Sequence, residues 1–193
     1  DINVDSNTGT INSVVKESSV TIPELDNEGL AVKNPNTILV ASENESSIKE
    51  YDVNDGSEVG SINVPTVFNQ NRSNLGLESL SLQAAGESLW TANEEALTID
   101  GDQSSDGTGT TIRLQKFDSN LDPSGQWAYE VTNTVNSVFN NGVSDLVVLP
   151  DGQLLVLERQ ASLLGLQSRI YLVDFSGATD ISGFTGGLLG ETY

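Results

Sequence analysis

One passage of this chain is written three times, and that recurrence restricts its fold more than any single segment does. The copies are DNEGLAVKNPNTILVASENE from residue 26, NLGLESLSLQAAGESLWTANEE from residue 74 and NNGVSDLVVLPDGQLLVLERQ from residue 140. Each opens on small or acidic residues, runs through an apolar-alternating strand and turns at Pro, Gly, Asn or Asp. A second apolar strand follows and stops abruptly in acid. Glu28, Glu78 and Ser144 share one position of the repeat, and Leu30, Leu80 and Leu146 share another. A unit of this size cannot bury its hydrophobic face alone, so its copies must stack, and the repeat sets the architecture before any local segment does.

The period of apolar residues is 2 nearly everywhere, with Val, Ile, Leu and Thr in the strand positions. No amphipathic pattern reaches the roughly 12 residues of a helix that could stand alone. Residues 1–23 read as two strands, INV and TINSVVKESSVTI, about a turn of Asp, Ser, Asn, Thr and Gly. The first full repeat, 26–65, has strands near 29–33, 37–42, 47–53 and 57–64. After a linker at 66–73, the second, 74–133, has strands near 77–83, 88–93, 111–118 and 126–133. It is interrupted by TIDGDQSSDGTGT at 98–110, a polar stretch expected to be an exposed loop. The third, 140–182, has strands near 144–149, 153–158 and 169–175, and a glycine-rich tail at 183–193 follows. Four short strands per unit of about 40–50 residues is the pattern of a β-propeller blade, and a β-sandwich does not repeat at this period. The expectation is an all-β propeller of four-stranded antiparallel blades. Two, four, four and three strands make about three and a half blades, a partial ring completed by blades from another segment or chain. The lack of an initiator Met and of a signal-peptide pattern reads as a processed chain or a fragment.

Charge and two missing residue types narrow the function. With 28 Asp plus Glu against 8 Lys plus Arg, the net charge of -20 repels phosphate backbones and anionic membrane surfaces. No apolar run approaches the ~20 residues of a membrane span. Neither a nucleic-acid partner nor membrane insertion is expected. The chain has no Cys and no His. It cannot by itself build a disulfide, a Ser-His-Asp triad, a histidine general base or a His-liganded zinc site. Carboxylates, Arg or Lys, hydroxyls and an oxygen-bound metal remain.

In a propeller the inner strand of each blade lines the channel and pairs antiparallel with the second strand. The start of one and the end of the other therefore lie together. The repeated acids fall at those two places: Glu28 with Glu43 and Glu45, Glu78 with Glu94 and Glu95, and Asp145 with Glu158. Carboxylates gathered at one channel mouth must be protonated, paired with Arg or neutralised by a cation. Hard oxygen ligands without His or Cys point to Ca²⁺ or Mg²⁺. Glu28, Glu43, Glu78, Glu94 and Asp145 are the candidate ligands, with the alternative that such acids cap backbone amides and serve only the fold. Arg159 stands where Glu43 and Glu94 stand, and could clamp a phosphate or pair with a neighbouring acid. Two Asp-rich stretches, DGDQS from residue 100 and DINVD from residue 1, begin like calcium loops but lack the glycine at position 6 and the glutamate at position 12. Trp90 and Trp127 read as packing residues.

The pieces NLGLESLSLQAAGESLWTANEEA, TTIRLQKFD, GQWAYEV, NGVSDLVVLPDGQLLVLERQ and SRIYLVDFSGATDIS together resemble the phytase-like family, "esterase-like activity of phytase". They cover roughly residues 74–182 in the family's order. The resemblance implies a propeller, an extracellular or periplasmic setting, and phosphoesterase chemistry resting on Glu78, Glu94, Asp145, Glu158 and Arg159. Two readings follow. One is a secreted, calcium-dependent hydrolase of a small phosphoester, with Glu78, Glu94, Glu158 and Arg159 as catalytic groups. The other is a non-catalytic extracellular propeller acting as a binding or assembly component.

Overall fold

A computed structural model describes all residues except 1, 17, 24, 25 and 133–137, and gives only the backbone of Ile2–Val4. The alternating pattern becomes strands β1 (Ile2–Val4) and β2 (Ile11–Val14), then β3 (Asn27–Asn34), β4 (Thr37–Ser42), β5 (Ser47–Asp52) and β6 (Glu58–Ile62). The second repeat supplies β7 (Ser81–Leu82), β8 (Leu89–Ala92), β9 (Thr111–Phe117) and β10 (Pro123–Glu130). The third supplies β11 (Val138–Val148), β12 (Leu154–Ser162) and β13 (Gly165–Val173). They form antiparallel sheets in the orders β1-β2, β3-β4-β5-β6, β7-β8-β9-β10 and β11-β12-β13. Strands that follow one another in sequence across an antiparallel sheet of up to four, as in the three larger sheets here, are the pattern of propeller blades.

The sheets stack face to face through two cores. Between the first and second blades, Ala31, Leu39, Ala41 and Ile48 meet Leu77, Leu80, Leu89 and Phe117, with Val67 and Phe68 of the linker's 3₁₀ turn (Thr66–Gln70) closing the layer. Between the second and third, Trp90, Ile112, Leu114 and Val131 meet Val143, Leu146, Leu154 and Val156. Each fully buried Leu, Ile or Val stabilises the stack by about 1.5–3 kcal/mol. The first contact is tight enough to require glycine. A Cβ on Gly29 would lie 2.6 Å from the backbone nitrogen of Leu80. The inner strands β3, β7 and β11 converge on one cavity, lined by residues 30–32, 80–82 and 145–147.

One expectation needs correction. The 98–110 insertion is exposed only in part, because polar anchors tie it down. Asp100 is buried in a bidentate pair with the Arg113 guanidinium at 2.7 and 2.8 Å, and Arg72 donates to the carbonyls of Ala96 and Gly101. Residues 102, 103 and 105–108 remain exposed. The glycine-rich tail at 183–193 forms no strand, in keeping with its glycines, and it packs down through buried Leu188 and through Ile181 just before it. The Ile181 N–H donates to the Gln126 carbonyl at 2.8 Å, and the Phe184 carbonyl accepts from Arg113 at 2.9 Å. The tail thus seals the outer edge of the second blade.

Candidate metal centre

The same irregularity opens all three inner strands. Asn27 lies opposite Ser42 but Leu30 opposite Val40. Leu77 lies opposite Asn93 but Ser81 opposite Trp90. Val143 lies opposite Glu158 but Asp145 opposite Leu157. Each pairing slips by one residue, so a β-bulge sits where the repeat carries Glu28, Glu78 and Ser144. A bulge bends its strand and re-aims the side chains on it, which turns Glu28 and Glu78 out of the sheet alternation. One step beyond the bulge, the Glu43 N–H donates to the Asp26 carbonyl at 3.0 Å and the Glu94 N–H to the Gly76 carbonyl at 2.9 Å. Arg159 pairs with Gly142 at the matching place.

Glycine then lets neighbouring blades close on one another. A Cβ on Gly76 would lie 2.5 Å from the Glu43 carbonyl oxygen, and one on Gly142 would lie 2.7 Å from that of Glu94. The Gly76 N–H donates to Glu43 Oε1 at 2.9 Å, and the Val143 N–H to the Glu94 carbonyl at 3.0 Å. Acids from successive blades therefore gather rather than splay. Asp26, Glu28 and Glu43 each offer a carboxylate oxygen within 4.8 Å of the others, and so do Glu43, Glu78 and Glu94. Glu43 belongs to both triads, so five carboxylates form one continuous patch.

The electrostatics follow from burial and crowding. Glu43 and Glu94 are buried, Glu78 and Asp26 half-buried, and Glu28 exposed. The Glu78 carboxyl is pushed up to about 8, first by burial and then by the charges of Glu94, Glu43 and Glu28. Burial also raises Glu94, against the pull of Arg159. It raises Glu43 too, against the Gly76 amide. Among the described residues one cation faces the patch: Arg159 Nη2 donates to Glu94 Oε1 at 3.3 Å while its side chain stays half exposed. An all-oxygen, acid-rich donor set with so little compensation fits a hard divalent cation, Ca²⁺ before Mg²⁺ because the acids are many and irregularly placed.

The other acids predicted for the mouth go elsewhere. Glu158 lies on the face of β12 opposite to Arg159, since strand neighbours alternate. Its Oε1 accepts from Tyr129 Oη at 2.9 Å and the Thr132 N–H at 3.1 Å. It matches Asn93 in the repeat, not Glu94. Asp145, one step past the bulge, is exposed on the channel wall and accepts the Leu146 N–H at 2.8 Å. Glu95 turns inward to the Ser104 N–H and hydroxyl at 2.7 and 2.6 Å, and Glu45 pairs with Lys49 at 2.9 Å. Among the described residues neither calcium-loop-like stretch gathers three acids. Asp100 is spent on Arg113, Asp5 caps its own turn, and Asp1 lies outside the described residues. Asp26 is the mouth residue that pattern reasoning passed over. The signal was its place two residues before Glu28, where the other copies carry Gly76 and Gly142.

Stacked four-stranded blades with acids at the entry of their inner strands define the class: a β-propeller with an acidic channel mouth. The family model described as "Phytase-like: Esterase-like activity of phytase" matches residues 8–189. The chain belongs to that family. No curated protein matches it. Among solved structures, it is similar to the PQQ-bound aldose sugar dehydrogenase of Streptomyces coelicolor at 18% identity and a TM-score of 0.47, covering 73% of this chain and 40% of that one. It is also similar to a chain of the nidogen/laminin complex at 16% identity and a TM-score of 0.42, covering 90% and 57%. For a streptogramin B lyase the values are 11% and 0.34, covering 80% and 57%. The chain thus spans less than two thirds of each of these. No described helix is long and apolar enough to cross a membrane.

Proposed function

We propose that this chain is a secreted phytase-like propeller whose mouth binds calcium and hydrolyses a small phosphoester. The observation that carries the reading is the five-carboxylate patch, Asp26, Glu28, Glu43, Glu78 and Glu94, shared through Glu43 and faced by one arginine. Those five residues would hold the ion, which when bound supplies positive charge to phosphoryl oxygens. The chain's own groups do the rest. Arg159 spends one nitrogen on Glu94 and keeps the others for a phosphate, the planar fork that suits that anion. Glu78 holds a proton near neutral pH only while the mouth is empty of cation, and it would release that proton as the ion binds and serve as a ligand. Glu158, bonded to Tyr129 and Thr132, positions the outer strand of the second blade and is not assigned a chemical step. The extracytoplasmic setting rests on the family and on the charge of -20.

The test is phosphate release from phytate and from an aryl phosphate, with calcium and then with chelator. Release that requires calcium and is lost in Glu43→Gln is the expected result. No release in either condition from folded protein moves the assignment to a non-catalytic binding propeller.

A further inference from the structure

A second site lies at the opposite end of the blades. The mouth sits at the Gly142–Arg159 pair, whereas Val148 pairs with Leu154 beside the β11–β12 turn. Six residues of strand separate the two, about 20 Å at ~3.3 Å per residue. Beside that turn is a pocket of about 230 Å³ walled by Trp90, Trp127 and Phe175. The Trp90 and Phe175 rings stack at 4.9 Å, and Trp127 leans on both at 5.4 and 5.0 Å. Trp90 is buried and bonded through its indole N–H to Ser88 Oγ at 3.0 Å, so it braces the other two. Trp127 and Phe175 are half-buried and give the pocket its apolar wall.

The polar rim is mixed in a way that selects a ligand class. Lys116 Nζ stands 5.7 Å from the Trp90 ring centre, a cation already placed against the aromatic face. Asp151, Gly152, Gln153 and Asp174 complete the lining. Each Asp gives one oxygen to a turn amide, Gln153 for Asp151 at 3.1 Å and Ser176 for Asp174 at 3.0 Å, which leaves the second oxygen to accept. A phosphate or carboxylate ligand meets two aspartates. A quaternary ammonium meets a lysine where it would stack. A neutral polyol with one apolar face meets neither obstacle: it lays its C–H face on the rings, accepts from Lys116 and donates to the aspartates. The volume lies below the roughly 300–1,000 Å³ of pockets for drug-sized ligands, which suits one ring. From this combination we infer that the pocket is a subsite for a single pyranose ring of a neutral sugar.

The chain's two tryptophans both line this pocket, so tryptophan emission, excited selectively over the four tyrosines, reports on it. The experiment titrates the protein with methyl glucoside, galactoside, mannoside and N-acetylglucosaminide, with tetramethylammonium and inorganic phosphate alongside. A saturable change of emission in the millimolar range with at least one pyranoside is expected. It should weaken about tenfold in Lys116→Gln and in Asp174→Asn, each loss amounting to about one hydrogen bond to a charged group. Both side chains are at least partly exposed, so the variants should keep the wild-type β spectrum. Glu78→Gln at the mouth should leave the response unchanged, which separates this site from the proposed phosphoesterase. Absence of a saturable change with every pyranoside, a response confined to tetramethylammonium or phosphate, or undiminished binding in both variants overturns the inference.

Discussion

Two regions of this protein bury charge, and they do it in opposite ways. At the Asp100–Arg113 clasp the charges are matched: the carboxylate takes two guanidinium N–H groups, and two of the other three reach Gln126 Oε1 and the Phe184 carbonyl. At the mouth, five carboxylates gather and, among the described residues, one half-exposed arginine pairs with a single member, Glu94, at 3.3 Å. The clasp binds the insertion, β9 and the tail into one body, and nothing further is needed to neutralise it. The mouth is a charge distribution that folding alone does not balance. A fold tolerates such an arrangement where a ligand completes it, and the proposal of a metal site at the mouth rests on that contrast.

That contrast can be broken from either side. The largest effect belongs to the clasp. Arg113→Ala leaves Asp100 buried and alone and should cost about 3–5 kcal/mol, read from the midpoint of urea unfolding. Glu78→Gln in chelator at pH 8 should cost nothing or stabilise, because it removes one of several repelling charges; an equal loss in both variants would erase the distinction. Next, Gly76→Ala pushes a methyl into the Glu43 carbonyl and should destabilise by about 1–3 kcal/mol while weakening calcium binding, measured by unfolding and titration.

A pH effect sharpens the same comparison. Glu78 sits near 8 in the folded protein against an ordinary 4.5, so the native state binds more protons between those values. Its contribution to stability is fully present below about 4.5 and is lost as pH rises through about 8. The melting temperature of chelated protein should fall across that window and recover with calcium, whereas Glu78→Gln should flatten the decline. The smallest effect is that of Arg159→Ala, a half-exposed pair worth less than about 1 kcal/mol of stability. It should lower phosphate release far more than it lowers the melting temperature.

The blades were legible because period-2 alternation and turn residues are local signals repeated at a fixed spacing. The site was legible only to the depth of the repeat. Glu28, Glu43, Glu78 and Glu94 recur at matched positions, and the fold brings their carboxylates together. Glu158 and Asp145 looked equivalent to them, but strand alternation and the one-residue bulge decide which way a side chain faces, and a run of letters does not display a bulge. Asp26 escaped because its counterparts are glycines, so the repeat hid it instead of flagging it. The burial of Asp100 escaped for a related reason: its partner Arg113 lies in another strand, and a loop's polarity does not reveal a distant cation.

The most direct measurement is calorimetric titration of calcium into chelator-treated protein and into Glu43→Gln, the residue both triads share. Saturable binding in the wild type that is lost or strongly weakened in Glu43→Gln, with the β spectrum unchanged, is the predicted result. No binding to the wild type, or equal affinity in the two proteins, would contradict the assignment of the mouth as a metal centre.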